Sequence, residues 1–283
     1  MHGNRLSIFD LSVNLSTMNG IKEKYGRTAL ICGASEGIGA AFAEYLARQG
    51  MDLVLVARRA GILNDFATRV STGYKVSVKT IECDLSDNNA PEFITASLGD
   101  SETGLLVYNA AVSYIGPFLD RNDDELQRAV NVNISTPLSL LRHLGKGMAE
   151  RGRGAVILMS SMAGLQGSGY LSVYAATKAF NTVLSESLWF EWKSLGVDVL
   201  GCIAGATSTP GYNQSNPGKA GFLAPRVLRP EEIPRECFRY LGRQPSFITG
   251  RGNRLASFIM RHFMTRKQSV KVMGENTRKM YGL

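Results

Sequence analysis

The stretch "RTALICGASEGIGAAFAEYLARQG", residues 27–50, places a glycine-rich turn between a short apolar run and a helical pattern. Residues 28–32 read as a buried strand, and apolar side chains after the turn recur at helical spacing: Ala41, Phe42, Tyr45 and Leu46. Glycines let a backbone turn tightly and approach a pyrophosphate, while the N–H groups that open the next helix bind the anion. The stretch therefore predicts a strand–turn–helix unit that binds a dinucleotide.

The rest of the chain repeats this alternation of strand and helix. Further strand patterns lie at 51–59, 75–84, 104–111, 154–161, 197–205 and 246–250, and the longest helical stretches lie around 122–150 and 172–195. Such alternation predicts an α/β, doubly wound Rossmann-type fold: a largely parallel seven-stranded sheet with helices on both faces. We expect a catalytic domain at 25–250 with a substrate loop at about 205–230, an N-terminal extension at 1–24 and a basic C-terminal tail at 251–283.

Composition narrows the function classes. The 283 residues carry a net charge of +8, but the tail alone holds eight Lys and Arg against one Glu, so the remainder is near neutral and no nucleic-acid partner is expected. No apolar run reaches the ~18 residues of a membrane span, and the N-terminus does not resemble a signal peptide. The four cysteines are scattered and the three histidines are isolated, so we expect neither disulfides nor a metal site. Reduced cysteines fit a cytoplasmic location.

The end of the second predicted strand bears on the choice of coenzyme. A carboxylate there would bind the ribose 2′-hydroxyl and favour NAD, but Ala57 is followed by Arg58 and Arg59. Guanidinium groups suit the 2′-phosphate of NADP, and a solvated surface pair is the alternative. Glu36, beside the glycine turn, adds negative charge and weakens the argument. We expect NADP(H) as the preferred coenzyme, with NAD(H) as the second candidate.

Taken together, residues 25–250 resemble the classical short-chain dehydrogenase/reductase family. The resemblance rests on the glycine turn and on six further segments: "CDLSD" (83–87), "YNAA" (108–111), "VNVNIS" (130–135), "MSSMAG" (159–164), "YAATK" (174–178) and "AGATST" (204–209). Four positions depart from the family's patterns: Cys32 and Tyr108 replace a threonine and an asparagine, and Ala111 and Ala204 replace a glycine and a proline. The motifs occur in the family's order, which makes them specific as a set.

The resemblance implies a catalytic set of Asn133, Ser161, Tyr174 and Lys178. Ser161 is preferred to Ser160 because it lies thirteen residues before Tyr174, the family's usual interval, and Asn131 is the near alternative to Asn133. Tyr174 would donate a proton to the carbonyl oxygen that receives a hydride on its carbon, and Ser161 would hydrogen-bond that oxygen. Lys178, one helical turn on, is expected to lower the pKa of Tyr174 and to hold the nicotinamide ribose, while Asn133 positions a relay water.

The expected binding residues follow from the same motifs, and no metal ligand is among them. The expected coenzyme contacts are Gly33, Ser35, Glu36, Gly37, Ile38, Gly39, Arg58, Arg59, Asp84, Leu85, Asn109, Ala110, Ala111, Tyr174, Lys178, Gly205, Thr207 and Thr209. The expected substrate contacts are Ser161, Met162, Gln166, Tyr170 and Tyr212. All but Ser161 in the substrate set rest on position alone.

The implied function is an NADP(H)-dependent oxidoreductase that interconverts a ketone or aldehyde and an alcohol. Reduction is the expected direction, on a hydrophobic small molecule such as a lipid, acyl or steroid-like ketone. The alternatives are an NAD-linked alcohol dehydrogenase, and a non-catalytic dinucleotide-sensing or scaffold protein on the same fold. By resemblance, the helices of 122–150 and 172–195 build a homodimer or homotetramer.

The basic tail leaves three interpretations open. Leu255, Phe258, Ile259, His262 and Phe263 fall near helical spacing, with basic residues between them. The helix could pack on the body with a solvated basic face, lie on an anionic lipid surface as a peripheral contact, or dock a partner. Residues 1–24 are either a loose arm or a helix that packs on a neighbour.

Overall fold

The sheet has seven parallel strands, as the alternating sequence pattern predicts. In this computed structural model, which describes residues 20–99, 101–215, 218 and 226–283, the strand order is β3-β2-β1-β4-β5-β6-β7. The strands are β1 (Thr28–Cys32), β2 (Asp52–Ala57), β3 (Val78–Glu82), β4 (Thr103–Tyr108), β5 (Gly154–Ser161), β6 (Val197–Ala204) and β7 (Ser246–Ile248). The order reverses between β1 and β4, and the crevice at the carboxyl ends of those strands is where such sheets bind ligands.

Helices connect the strands and cover both faces of the sheet. They are α1 (Gly20–Tyr25), α2 (Gly37–Arg48), α3 (Ala60–Tyr74), α4 (Ala90–Leu98), α5 (Asp123–Val130), α6 (Thr136–Glu150), α7 (Ser172–Lys193), α8 (Pro210–Gln214), α9 (Glu232–Tyr240), α10 (Arg251–Phe263) and α11 (Arg266–Tyr281). A π-helical turn, Asn131–Ser135, joins α5 to α6, and short 3-10 turns lie at Phe118–Asp120 and Met162–Leu165. Within the described ranges, no helix combines the length and apolar character needed to cross a bilayer.

Two apolar layers sandwich the sheet, because successive strand residues point to opposite faces. Ile31 of β1 joins the layer that contains Phe42 of α2, whereas Leu30 joins the layer that contains Ile94 of α4 and Leu140 of α6. The parallel strands are buried on both sides, which explains their nearly continuous apolar sequences. This packing holds the ends of β1, β4 and β5, from which the candidate site is built.

Segments outside the central sheet meet it through specific contacts. Lys24 of α1 donates a hydrogen bond of 2.6 Å to Asp198 of β6, and Ile21 is buried, so the described part of the predicted extension packs on the body of this chain. Residues 1–19 of that extension lie outside the described residues, as do 216–217 and 219–225 of the predicted substrate loop. All four cysteines are buried and free.

Candidate active site

The glycine turn brings the ends of β1 and β4 into contact. Gly33 has a φ of +79°, and a Cβ atom there would lie 2.9 Å from the backbone nitrogen of Ala110. A Cβ atom on Gly39 would lie only 2.0 Å from the carbonyl oxygen of Gly33, which also accepts a 3.0 Å hydrogen bond from the Asn109 amide. Larger residues cannot occupy these two positions without moving the backbone, so the glycines are required by the close approach.

A cleft of about 310 Å³ opens beside this turn. Thirteen predicted coenzyme residues line it: Gly33, Ser35, Glu36, Gly37, Ile38, Arg58, Arg59, Asp84, Leu85, Asn109, Ala110, Ala111 and Thr209. Sequence reasoning missed Ala57, Cys83, Val112, Arg128, Val132, Pro210 and Gly211, most of which directly adjoin predicted residues. The glycine cradle and the start of α2 fit the pyrophosphate of a dinucleotide.

Two ion pairs set the charge in this cleft. Arg59 is 2.9 Å from Glu36, so the carboxylate that weakens the NADP prediction also engages one of the two arginines. Arg58 lines the same cleft and forms no ion pair with an acidic residue in the part of the chain that the structure describes. Arg128 donates a 2.7 Å hydrogen bond to Asp84. Burial alone would raise the pKa of Asp84, but hydrogen bonds from Ser86 and Arg128 hold that pKa below its usual value.

Three predicted coenzyme residues follow β6, and only one of them, Thr209, lines the cleft. Gly205 packs against Asn253, whose side-chain nitrogen would lie 2.1 Å from an added Cβ atom, and Thr207 is buried and bonds the Gly205 carbonyl at 3.0 Å. Neither of these two residues is among those that line the cleft. Thr209 alone reaches the glycine turn, with its methyl group 3.0 Å from the position of a Gly37 Cβ atom.

Ser161, the last residue of β5, faces Tyr174 of α7. The Ser161 side chain lies close enough to the Tyr174 hydroxyl to lower the pKa of that phenol, and its oxygen accepts a 3.2 Å hydrogen bond from the Ala163 backbone. Ser160 points the other way: it donates a 2.6 Å hydrogen bond to the Lys178 carbonyl and lies 2.7 Å from the Thr182 hydroxyl. The strand alternation therefore presents Ser161, and not Ser160, to the cleft edge.

Lys178 is buried, with 2% of its surface exposed. Its ammonium donates a 2.8 Å hydrogen bond to the Met159 carbonyl and lies 5.6 Å from the centre of the Tyr174 ring. Burial disfavours the charged amine and lowers the pKa of Lys178 to about 8. A lysine in this state is a weak source of positive charge near the upper end of the neutral range.

The expectation that Lys178 lowers the pKa of Tyr174 is not met in this structure. Burial raises the pKa of the Tyr174 phenol above its usual value, the hydrogen bond with Ser161 opposes the rise, and Tyr281 adds to it. The sequence spacing predicts that the Lys178 amine lies one helical turn from Tyr174. It does not predict that the amine is desolvated or that it donates a hydrogen bond to the Met159 carbonyl. In this arrangement Tyr174 is held as the neutral phenol, which is the form that donates a proton.

Asn133 lies in the π-helical turn and is fully buried. Its side chain donates to the Val112 carbonyl at 2.9 Å and to the Thr177 hydroxyl at 3.0 Å, and it accepts from the Val112 backbone at 2.8 Å. Asn131 instead donates to Ser86 and Asn88, away from α7. Asn133 is thus the asparagine joined to the helix of Tyr174 and Lys178.

Tyr108 explains how the π-helical turn is held. This residue is buried, and its hydroxyl donates a 2.6 Å hydrogen bond to the Val132 carbonyl within the turn. A π-helical turn shifts the backbone hydrogen-bond pattern and is frequent at functional sites. The tyrosine that departs from the family's pattern therefore supports the segment that presents Asn133.

The predicted substrate contacts other than Ser161 lie in three different places. Met162 and Gln166 line a second cavity, of about 830 Å³, between the body and the two C-terminal helices. Tyr170 has a φ of +63°, an uncommon conformation for a residue with a side chain, and its carbonyl accepts a 2.9 Å hydrogen bond from Gly116. Tyr212 lies in α8, on the side of Thr209.

Helix α11 crosses the same region, which the sequence pattern did not indicate. A Cβ atom on Gly169 would lie 3.4 Å from the Cα atom of Gly274, and the Gly218 backbone donates a 2.7 Å hydrogen bond to the Met280 carbonyl. Tyr281 raises the pKa of both Tyr174 and Tyr212 through its charge. No local motif links these distant residues, so only the tertiary structure shows that the C-terminus helps to enclose the site.

Comparison with known proteins identifies the same segments. The pattern of the family described as short chain dehydrogenase matches residues 27–220. A 7beta-hydroxysteroid dehydrogenase of Collinsella aerofaciens is 34% identical over 256 residues, which are 90% of this chain and 97% of that protein. A very-long-chain 3-oxoacyl-CoA reductase of Bos taurus is 36% identical over 184 residues, 64% of this chain and 59% of that protein.

Solved structures agree with these matches. A structure that addresses 7beta-hydroxysteroid dehydrogenase stereoselectivity has a TM-score of 0.85 and 33% identity, and the match covers 89% of this chain and 98% of that one. A short-chain dehydrogenase from Sphingobium yanoikuyae in complex with NADPH has a TM-score of 0.72 and 28% identity, covering 82% of this chain and 92% of that one. The parallel sheet and the order of its motifs are therefore shared along most of the chain.

The buried Lys178 predicts a specific dependence of stability on pH. The folded pKa is about 8, below the 10.5 of an exposed lysine, so the unfolded chain binds the extra proton between these values. Stability should therefore rise with pH through this window. From about pH 7 to about pH 9.5, the wild type should gain about 2 kcal/mol of unfolding free energy relative to Lys178→Met, measured by urea denaturation. As a control, Lys146→Met removes an exposed lysine, and its unfolding free energy should change with pH as that of the wild type does. If the unfolding free energy of Lys178→Met changes with pH in the same way as that of the wild type, the pKa of Lys178 is not lowered.

Proposed function

The chain belongs to the short-chain dehydrogenase family and is an oxidoreductase acting on the CH–OH/C=O pair, and we propose that it is an NADP(H)-dependent reductase of hydrophobic ketones. The observation that carries the proposal is the closeness of the Ser161 side chain to the Tyr174 phenol, on a chain whose glycine turn opens a dinucleotide-sized cleft.

The coenzyme preference is argued from the charge at the end of β2. Arg58 is exposed and lines the cleft, so a 2′-phosphate could take its guanidinium without breaking an existing ion pair among the described residues. Arg59 would add a second donor once it leaves Glu36, which is 2.9 Å away. The NADPH complex of the Sphingobium yanoikuyae relative supports the same coenzyme. An NAD-linked oxidation is the second candidate, favoured by the Glu36 carboxylate in the cleft.

The proposed chemistry assigns a separate task to each polar side chain. Bound NADPH would supply the hydride for the carbonyl carbon. Tyr174, a neutral phenol, would donate its proton to the carbonyl oxygen, and Ser161 would hydrogen-bond the same oxygen as negative charge develops. Because the raised pKa keeps the proton on Tyr174, the arrangement supports reduction of a carbonyl in particular.

Two further residues would position this pair. Lys178 would hold the ribose hydroxyls of the coenzyme, for which its ammonium must leave the Met159 carbonyl or bind both groups. Asn133 would fix α7 relative to the π-helical turn through the Thr177 hydroxyl and orient a relay water. Neither role requires a metal ion.

The substrate class is argued from the walls of the site and from the relatives. Met162 and Leu165 from the body and Met273 from α11 border one cavity, and Tyr281 of α11 is close enough to Tyr174 and to Tyr212 to raise the pKa of both. Apolar walls that include large side chains suit a ring or chain ketone better than a sugar. The 7beta-hydroxysteroid dehydrogenase and very-long-chain 3-oxoacyl-CoA reductase relatives act on such molecules by name. We also propose a cytoplasmic setting, which the four buried free thiols support, and a homo-oligomer.

The coenzyme proposal predicts opposite effects at two residues. Arg58→Ala should weaken NADPH binding at least about tenfold and leave NADH binding nearly unchanged, because only the 2′-phosphate loses a charged partner. Glu36→Gln should strengthen NADPH binding, because it releases Arg59 and removes a like charge. Calorimetric dissociation constants for both coenzymes measure these effects, with Arg142→Ala on α6 as the control. Equal affinities of the wild type for the two coenzymes would count against the proposal.

The substrate proposal predicts a gradient across ketones. In an NADPH-oxidation assay, kcat/KM should rise at least about tenfold from a single-ring ketone to a fused-ring steroid ketone or a long-chain 3-oxoacyl ester, as apolar contact area grows.

On the best substrate, Tyr174→Phe should lower kcat by about 100- to 10,000-fold and leave the NADPH dissociation constant within a few-fold. Tyr45→Phe, whose ring stacks on Phe238 outside the cleft, is the matched control. A Tyr174→Phe protein with full turnover would overturn the catalytic assignment.

A further inference from the structure

Helix α10 turns its apolar side chains toward solvent. The exposed fractions are 61% for Leu255, 53% for Phe258, 45% for Ile259 and 76% for Phe263. These residues lie on consecutive turns of one helix face, and Phe258 and Phe263 have ring centres 6.3 Å apart. We call these four residues the α10 apolar face. An apolar helix face normally packs on the core, so the solvent exposure of this one needs a reason.

The opposite side of α10 is attached to the body by polar groups. Asn253 is buried and donates a 2.8 Å hydrogen bond to the Thr249 carbonyl. Arg254 donates to the Ile248 carbonyl at 2.9 Å and to Glu236 at 3.2 Å. These bonds fix the rotation of the helix, because the residues that anchor it cannot turn outward without losing buried partners. Helix α10 is therefore attached to the body, as in the first interpretation of the tail, but through polar groups, and the four residues of the α10 apolar face stay exposed.

The surroundings of this face are strongly basic. Helix α10 contains Arg251, Arg254 and Arg261 and no acidic residue, and Arg266 and Lys267 follow immediately. Arg261 and Lys267 are exposed and form no ion pair with an acid in the described ranges. Arg266 binds the Leu165 carbonyl at 2.8 Å. The surface thus combines large exposed apolar groups with cations whose charge is not compensated nearby.

We propose that the α10 apolar face, with Arg261 and Lys267 beside it, docks on an anionic lipid surface. In this position the four apolar side chains would enter the boundary between headgroups and acyl chains, and the cations would contact lipid phosphates. A second copy of this chain is disfavoured, because a twofold contact through α10 would bring its arginines against the same arginines. The proposal does not depend on the coenzyme; Phe258 and Arg261 also border the cavity of about 830 Å³, so its readout is vesicle binding rather than turnover.

Vesicle co-sedimentation of the full-length protein tests the proposal. At an ionic strength of about 50 mM, the protein should bind vesicles of phosphatidylcholine with about 30 mol % phosphatidylglycerol, and should bind pure phosphatidylcholine at least about tenfold more weakly. Raising the salt to about 500 mM should release most of the protein. Equal binding to both vesicle types, or none to either, would overturn the proposal.

Variants separate the apolar and electrostatic contributions. The double variant Phe258→Ser/Phe263→Ser should lose at least about tenfold in vesicle affinity, because two exposed aromatic rings no longer enter the interface. Arg261→Gln/Lys267→Gln should lose about 25-fold on anionic vesicles, from roughly fivefold for each cation. The matched control is Leu119→Ser/Phe190→Ser, which removes side chains that are 92% and 78% exposed elsewhere, and it should bind as the wild type does.

Measurements of folding, coenzyme binding and molar mass show whether a loss of vesicle binding has another cause. Thermal unfolding and NADPH binding of each variant should match the wild type, since all substituted residues are exposed and lie outside the coenzyme cleft. Light scattering measures the molar mass in parallel. If Phe258→Ser/Phe263→Ser halves the molar mass and leaves vesicle binding unchanged, a second copy covers the face and the lipid proposal is wrong.

Discussion

The contact between the glycine turn and the end of β4 is the constraint on which the rest of the site depends. Gly39 leaves room for the Gly33 carbonyl, which in turn accepts the Asn109 amide, so β1, α2 and β4 meet without intervening side chains. This approach shapes the coenzyme cleft at the point where the strand order reverses. Strand β5 lies next to β4, and the same edge of the sheet therefore places Ser161 and Tyr174 beside the cleft.

Within that frame, burial controls the chemistry more than helical spacing does. Tyr174 and Lys178 are one turn apart, as their sequence interval requires, but desolvation moves the two pKa values in opposite directions: that of the phenol rises and that of the amine falls. Both shifts favour neutral groups in an apolar environment. A neutral phenol beside Ser161 is suited to give a proton to a developing alkoxide, as the proposed reduction requires.

The sequence predicted the fold well because its signals are local. Each strand pattern coincides with an observed strand, and the glycine turn, the Ser161 interval and the π-turn asparagine all fall where the motifs indicated. The features that were missed depend on contacts between distant segments. The contact of Gly205 with Asn253 follows from the position of α10, the approach of Tyr281 to Tyr174 follows from the path of α11, and the outward rotation of Phe258 follows from the polar anchors of α10. No periodicity in the chain encodes such contacts.

The ionisation of Tyr174 is the measurement that tests the central claim most directly. Tyrosine labelled with ¹³C at Cζ, compared between the wild type and Tyr174→Phe, would assign one resonance and follow its chemical shift with pH. The account predicts that this phenol keeps its proton up to at least about pH 10, the usual tyrosine pKa, because burial raises its pKa. A midpoint near neutrality would mean that Tyr174 is a phenolate in the free protein, and would contradict the assignment of a neutral proton donor.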